Sequence, residues 1–211
     1  MYENEKQMIL DTARLMDRYG LICLSGGNLS VRMPDDTFLI TPSAMRYDDM
    51  VADDIVLVNE KGERVEGIRR PSSDILAILY IFKQMPHINA VIHTHQPYAT
   101  AAGLVTDKIP AFLTTIIDAN NGAVNVAPFT ISSDEGMGIE TVNHIGKSLA
   151  VILKHHGVIT IGKNLNEALE SAIYLEEAAK IYLMTRAVGP VPVLTREQIA
   201  QEGAERGNYG Q

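Results

Sequence analysis

Ala90-Val91-Ile92-His93-Thr94-His95 is an apolar run with the composition of a buried strand, and it ends in two histidines one residue apart. Along a strand, side chains at i and i+2 share a face, so His93 and His95 project together, close enough to hold one cation. A His-x-His pair is also an ordinary polar stripe on a half-buried sheet, and alone it establishes nothing. Two further residues change the balance. Asp74 adds a carboxylate at the start of an apolar helix, and His156, in Lys154-His155-His156-Gly157, adds a third imidazole from far downstream. Alternation places His155 on the opposite face, and adjacency to Gly157 selects His156. Three imidazoles and a carboxylate suit a catalytic zinc ion, with Mn2+ or Co2+ as other candidates; the single Cys23 rules out an all-cysteine site and reads as a small buried residue.

Upstream of this strand, Glu3 to Tyr19 has helical periodicity, with Ile9, Leu10, Ala13 and Met16 near one face and Gly20 at its end. Two hairpins follow: Leu29 to Met33 with Thr37 to Thr41, and Ile55 to Val58 returning through Arg64 to Glu66 after a turn at Asn59-Glu60-Lys61-Gly62. The early sheet is therefore expected to be antiparallel. Pro71-Ser72-Ser73-Asp74 opens an apolar, buried helix, and Asn89 to His95 is the histidine strand. Beyond it come a short helix from Pro97, an irregular segment near Asn120-Asn121-Gly122, and a helix from about Gly136 to Ala150. Strands at Val151 to Leu153 and Val158 to Ile161 flank His155-His156-Gly157. A long helix capped by Asn166 runs to about Arg186, where Pro190 and Pro192 end it.

The 211 residues, 46% of them hydrophobic, are enough for one core and are read as a single domain, with about 204–211 as a mobile tail. No apolar run approaches the roughly 20 residues that cross a bilayer, and the polar N-terminus lacks a signal-peptide layout, so a soluble, cytoplasmic protein is expected. A net charge of −8 with no basic stripe argues against nucleic acid as a partner. It leaves a small phosphate open, because backbone N–H groups and hydroxyls bind anions locally. Three turns have that character: Ser25 to Asn28, Thr41 to Ala44, and Pro71 to Ser73. Asp118, in Thr114-Thr115-Ile116-Ile117-Asp118, reads equally as a buried general base or as the cap of the turn after it.

Taken together, Gly26-Gly27-Asn28-Leu29-Ser30, Ile40-Thr41-Pro42-Ser43, Pro71-Ser72-Ser73-Asp74, His93-Thr94-His95 and His156-Gly157 resemble the class II aldolase/adducin family along essentially the whole chain. The resemblance implies a three-layer α/β/α sandwich with a mixed, mostly antiparallel central sheet, and a homotetramer with active sites between subunits. It implies zinc on His93, His95 and His156, and a sugar phosphate held by Gly27, Asn28, Ser43, Ser72 and Ser73. Asp74, Asp118 and Tyr209 fall where the family places acid/base groups. The implied reaction is aldol cleavage of a ketose 1-phosphate, with 4-epimerisation of ribulose 5-phosphate as the second reading. Aspartate at 74 favours the epimerase; the short segment from His95 to His156 and the run Pro190-Val191-Pro192-Val193-Leu194 favour the aldolase. A methylthioribulose-phosphate dehydratase and a non-enzymatic adducin-like scaffold are weaker readings. Ile116 and Ile117 are expected to form an apolar wall for a deoxy or alkylthio end of the substrate.

Overall fold

The computed structural model describes residues 1–205. Among them, helix α1 (Glu3–Arg18) precedes the strands β1 (Asn28–Arg32), β2 (Phe38–Ile40), β3 (Val56–Val58) and β4 (Arg64–Glu66). Helix α2 (Ile75–Gln84), strand β5 (Ala90–Thr94), helix α3 (Pro97–Val105), strand β6 (Lys108–Ile109) and helix α4 (Thr114–Asn120) follow. Then come β7 (Val124–Ala127), α5 (Glu135–Ile145), β8 (Ala150–Leu153), β9 (Gly157–Gly162), α6 (Leu165–Val188) and α7 (Arg196–Glu205). The nine strands lie in the order β4-β3-β2-β1-β5-β9-β8-β7-β6, and every neighbouring pair is antiparallel except β7 and β8. The sheet is thus mixed and mostly antiparallel.

Strand alternation divides the core into layers. Leu39, Leu57, Ala90 and Ile92 pack on one face with Ile9, Leu10, Ala13 and Met16 of α1 and with the start of α6. Their neighbours Phe38, Ile40, Val56, Val58 and Val91 pack on the other face with α2 and α5. Farther along the sheet, Ala150, Ile152 and Val158 point toward α3, α4 and α6, whereas Val151, Leu153 and Ile159 point toward α2 and α5. Helices on both faces of one sheet make the α/β/α sandwich.

Several local readings change. The cap of α6 is Asn164, whose side chain accepts from Glu167 N at 3.0 Å, while the Glu167 carboxylate accepts from Lys163 N just before the cap, and Asn166 lies inside the helix. Helix α5 stops at Ile145 because residues 146–149 form a turn, with Ser148 N donating to Ile145 O and Ser148 Oγ accepting from Ala150 N. Residues 114–120, read as irregular toward their end, form α4, while 204–205 belong to α7 rather than to a tail. Cys23 is exposed rather than buried, since it lies in the loop before β1 and not on a packed element. No helix among the described residues is long and apolar enough to cross a membrane.

Candidate active site

The register of β1, β5 and β9 builds the centre of the site. Asn28 lies opposite His93 across β1 and β5, and His93 lies opposite Ile159 across β5 and β9. The tight β8–β9 connection, closed by His156 N donating to Leu153 O at 3.0 Å, turns the chain through His155 at φ 63°. This turn, rather than alternation along a strand, directs His156 to the pair and leaves His155 exposed beside Phe129. The ligand-capable atoms of His93, His95 and His156 all lie within 4.8 Å of one another.

The His93 ring is anchored by Nδ1, 2.9 Å from the Val158 carbonyl. A hydrogen bond there requires Nδ1–H, which leaves Nε2 as a free lone pair, the usual device for orienting a metal-binding imidazole. The Nε2 atoms of His93 and His95 stand 3.0 Å apart. Two nitrogens on one tetrahedral ion, each about 2.0–2.1 Å from it, are about 3.3 Å apart, so the pair already has nearly that separation. The buried Nδ1 of His156 has no hydrogen-bond partner. Burial drives His93 down to about 3, helped by the adjacent His156 and His95, and burial also lowers His95 and His156 against the opposing pull of the Asp74 carboxylate. Three neutral imidazoles converging in this way fit a divalent cation.

Glycines make this approach possible. Gly27 has φ 79°, and a Cβ there would strike the backbone carbonyl of His93; a Cβ at Gly157 would strike the carbonyl of Thr94 and lie 3.0 Å from the His95 ring.

Asp74 begins α2 but does not cap it, as its side chain makes no capping hydrogen bond. Its carboxylate instead accepts from Asn28 Nδ2 at 2.7 Å, with both side chains buried. The carboxylate lies outside the 4.8 Å histidine set but acts electrostatically on His95 and His156. Asn28, expected at the phosphate, therefore spends one amide N–H on Asp74, and its Oδ1 is buried without a partner.

The loops at Pro42 and Pro71 are bridged: Ser43 N donates to Arg70 O at 3.0 Å and Ser72 N to Thr41 O at 3.1 Å. This bridge brings two of the hydroxyl turns to one place. With Ser25, Gly26, Gly27, His95 and His156, residues Ser43, Ser72, Ser73 and Asp74 line a cavity of about 250 Å³. No lysine or arginine lines it, so an anion there would be met by hydroxyls and backbone. Ser132 and Ser133, which sequence reasoning missed, also line it. The signal was present, since Ser132-Ser133-Asp134 repeats the pattern of Ser72-Ser73-Asp74 ahead of a helix, although Asp134 does cap its helix.

Two expectations fail within this chain. Asp118 lies on α4 and lines a separate cavity with Thr114, Thr115 and Glu170, because the helix turns it away from the histidines. Ile116 and Ile117 are buried in the core against α6 and cannot form a substrate wall. Tyr209 lies outside the described residues.

A sequence model of the Class II Aldolase and Adducin N-terminal domain matches residues 7–183. The chain is 34% identical to L-fuculose phosphate aldolase of Escherichia coli K12, covering 92% of this chain and 90% of that protein. It is 32% identical to L-ribulose-5-phosphate 4-epimerase of Salmonella paratyphi C, covering 88% and 86%. Among solved structures, an L-fuculose 1-phosphate aldolase superposes with a TM-score of 0.90 at 28% identity, over 95% of this chain and 94% of that one.

Proposed function

The chain belongs to the class II aldolase and adducin family, and on that premise we propose a metal-dependent aldolase that reversibly cleaves a ketose 1-phosphate to dihydroxyacetone phosphate and an aldehyde. The observation that carries the reading is a cluster of three neutral imidazoles, two of which, His95 and His156, line one cavity with the Asp74 carboxylate and hydroxyl-rich turns while His93 is buried beside them. His93, His95 and His156 would hold zinc, the ion their nitrogen-only donor set suits best, with Mn2+ or Co2+ able to replace it. When bound, the ion would polarise the substrate carbonyl and offset the negative charge that develops as the carbon–carbon bond breaks.

The remaining work falls to protein groups. Gly27, Ser43, Ser72 and Ser73 would hold the phosphate through hydroxyl and backbone donors, fixing the reacting carbons relative to the histidines. Asp74, kept as an oriented acceptor by Asn28, would take the proton from the hydroxyl of the departing half and return it in the reverse direction. Tyr209 would assist proton transfer at the other end. Ketoses of the fuculose, 5-deoxyribulose and methylthioribulose 1-phosphate type are the substrate class.

Epimerisation of L-ribulose 5-phosphate is the second reading, favoured by aspartate rather than glutamate at 74 and by the 4-epimerase relative. It needs a second base, and Asp118 on α4 could reach a catalytic cavity only from a neighbouring subunit. A homotetramer with active sites between subunits belongs to the same proposal, and sedimentation equilibrium checks it.

The test is to incubate zinc-loaded protein separately with fuculose 1-phosphate, 5-deoxyribulose 1-phosphate and ribulose 5-phosphate. Triose phosphate is followed by a coupled assay and pentose products by NMR. Release of dihydroxyacetone phosphate is expected. Xylulose 5-phosphate formed without triose release would make the protein an epimerase, and no turnover of any of the three would refute both readings.

A further inference from the structure

Glu176 is a buried carboxylate on α6 for which the proposed chemistry has no use. Its two oxygens accept the backbone N–H groups of Tyr98 at 2.8 Å and Ala99 at 2.9 Å. These are residues of the first turn of α3, where N–H groups have no partner within the helix. Gln96, at the N-cap, supplies no side-chain cap of its own. A side chain from a different helix therefore caps α3.

Gln96 extends the grip backward. Fully buried, it donates Nε2 to the Ala172 carbonyl of α6 at 3.1 Å and accepts at Oε1 from Thr94 Oγ1 at 2.7 Å. Thr94 is the residue between His93 and His95, so strand alternation turns it to the opposite face. Helix α6 thus holds the segment from Thr94 to Ala99 from behind, at its side chains and at its backbone. His95 is the first residue after β5, in the turn into α3, so its direction depends on whatever fixes that turn. Taking a carboxylate out of water is costly, and an apolar residue would pack α6 on α3 without that cost.

We infer that Glu176 is a positioning residue for the metal centre, holding the junction of β5 and α3 so that the imidazoles of His93 and His95 converge. The inference rests on the metal-centre reading given above. Groups that orient metal-binding histidines typically change metal affinity by ten- to a hundredfold when removed, about the effect expected here.

The experiment titrates metal-free protein with Co2+, following the visible d–d bands well below the unfolding temperature of each variant. Wild-type protein should show a tetrahedral-type spectrum that His95→Ala abolishes. Glu176→Ala should bind Co2+ ten- to a hundredfold more weakly with altered bands. Glu176→Gln, nearly isosteric and still able to accept one N–H, should fall between the two. Asn120→Ala removes a different buried bond to α6, from Ser171 Oγ to Asn120 Oδ1 at 2.6 Å, and should lower the melting temperature while leaving Co2+ affinity intact. Wild-type affinity and spectrum in both Glu176 variants, with only their melting temperatures lowered, would overturn the inference and spare the metal centre. A wild-type protein that binds no Co2+ would overturn the metal reading and the inference with it.

Discussion

Asn28 offers the sharpest test of how the site works, because its contact with Asp74 is short, buried and between groups far apart in sequence. The amide donates to the carboxylate at 2.7 Å, and Asn28 is 1% and Asp74 8% exposed, so water cannot readily take over the bond. A hydrogen bond to a charged group contributes about 1.5–3 kcal/mol, and the loss of that much from a transition state slows turnover about ten- to a hundredfold. Asn28→Ala should therefore lower kcat by that factor. It should also cost about 1–3 kcal/mol of stability, since the buried Asp74 carboxylate is left without its amide donor.

Asn28→Asp should do worse. Two charges 2.7 Å apart repel by about 6 kcal/mol at an effective dielectric of about 20, so the site cannot hold both ionised and the pair must keep a proton, which occupies the acceptor that Asp74 offers to substrate. Steady-state kinetics on the three proteins, with bound metal counted by atomic absorption and stability followed by urea unfolding, give the comparison. Should Asn28→Ala keep kcat within threefold of wild type at equal metal content, the carboxylate it holds is not the proton carrier and the assignment of Asp74 fails.

The remaining predictions bear on the shell around this pair. Gly27→Ala forces a left-handed residue to carry a Cβ into the His93 carbonyl, which should cost about 2 kcal/mol or more and lower metal content, read by urea unfolding and metal analysis. Ser73→Ala should raise KM for the sugar phosphate and Ki for inorganic phosphate together by about tenfold with kcat changed little, and an unchanged Ki would remove Ser73 from the phosphate site. Burial alone would raise Asp54, but the Val51 N–H and the Arg69 guanidinium outweigh it and hold its carboxyl below the ordinary 3.8. The stability Asp54 contributes is therefore present above that value and lost as pH falls through the folded one. The advantage of wild type over Asp54→Asn in urea should accordingly be full at pH 6 and shrink below about pH 3.8.

What could be read from the chain was whatever local pattern decides. Period-two alternation placed His93 and His95 on one face, and the apolar stripe of Ile9, Leu10, Ala13 and Met16 on α1 is buried as its spacing requires. Helix α4 was hidden because Thr114, Thr115, Ile116 and Ile117 are β-branched and its start has no side-chain cap. It is held by packing on α6 and α7, which no local signal records. The same limit hid how the site residues are paired. As a loop motif, Ser25 to Asn28 reads as a phosphate turn, and Asp74 reads as a carboxylate for the site with no partner to orient it. Only the pairing of β1 with β5 sets Asn28 opposite His93, beside the start of α2, where its amide meets the Asp74 carboxylate. Residues set by local periodicity were legible, while those whose partners arrive through strand register were legible only as residue types. Asn28 and Asp74, 46 residues apart, belong to the second kind, and so does Glu176, 77 and 78 residues from the amides it caps.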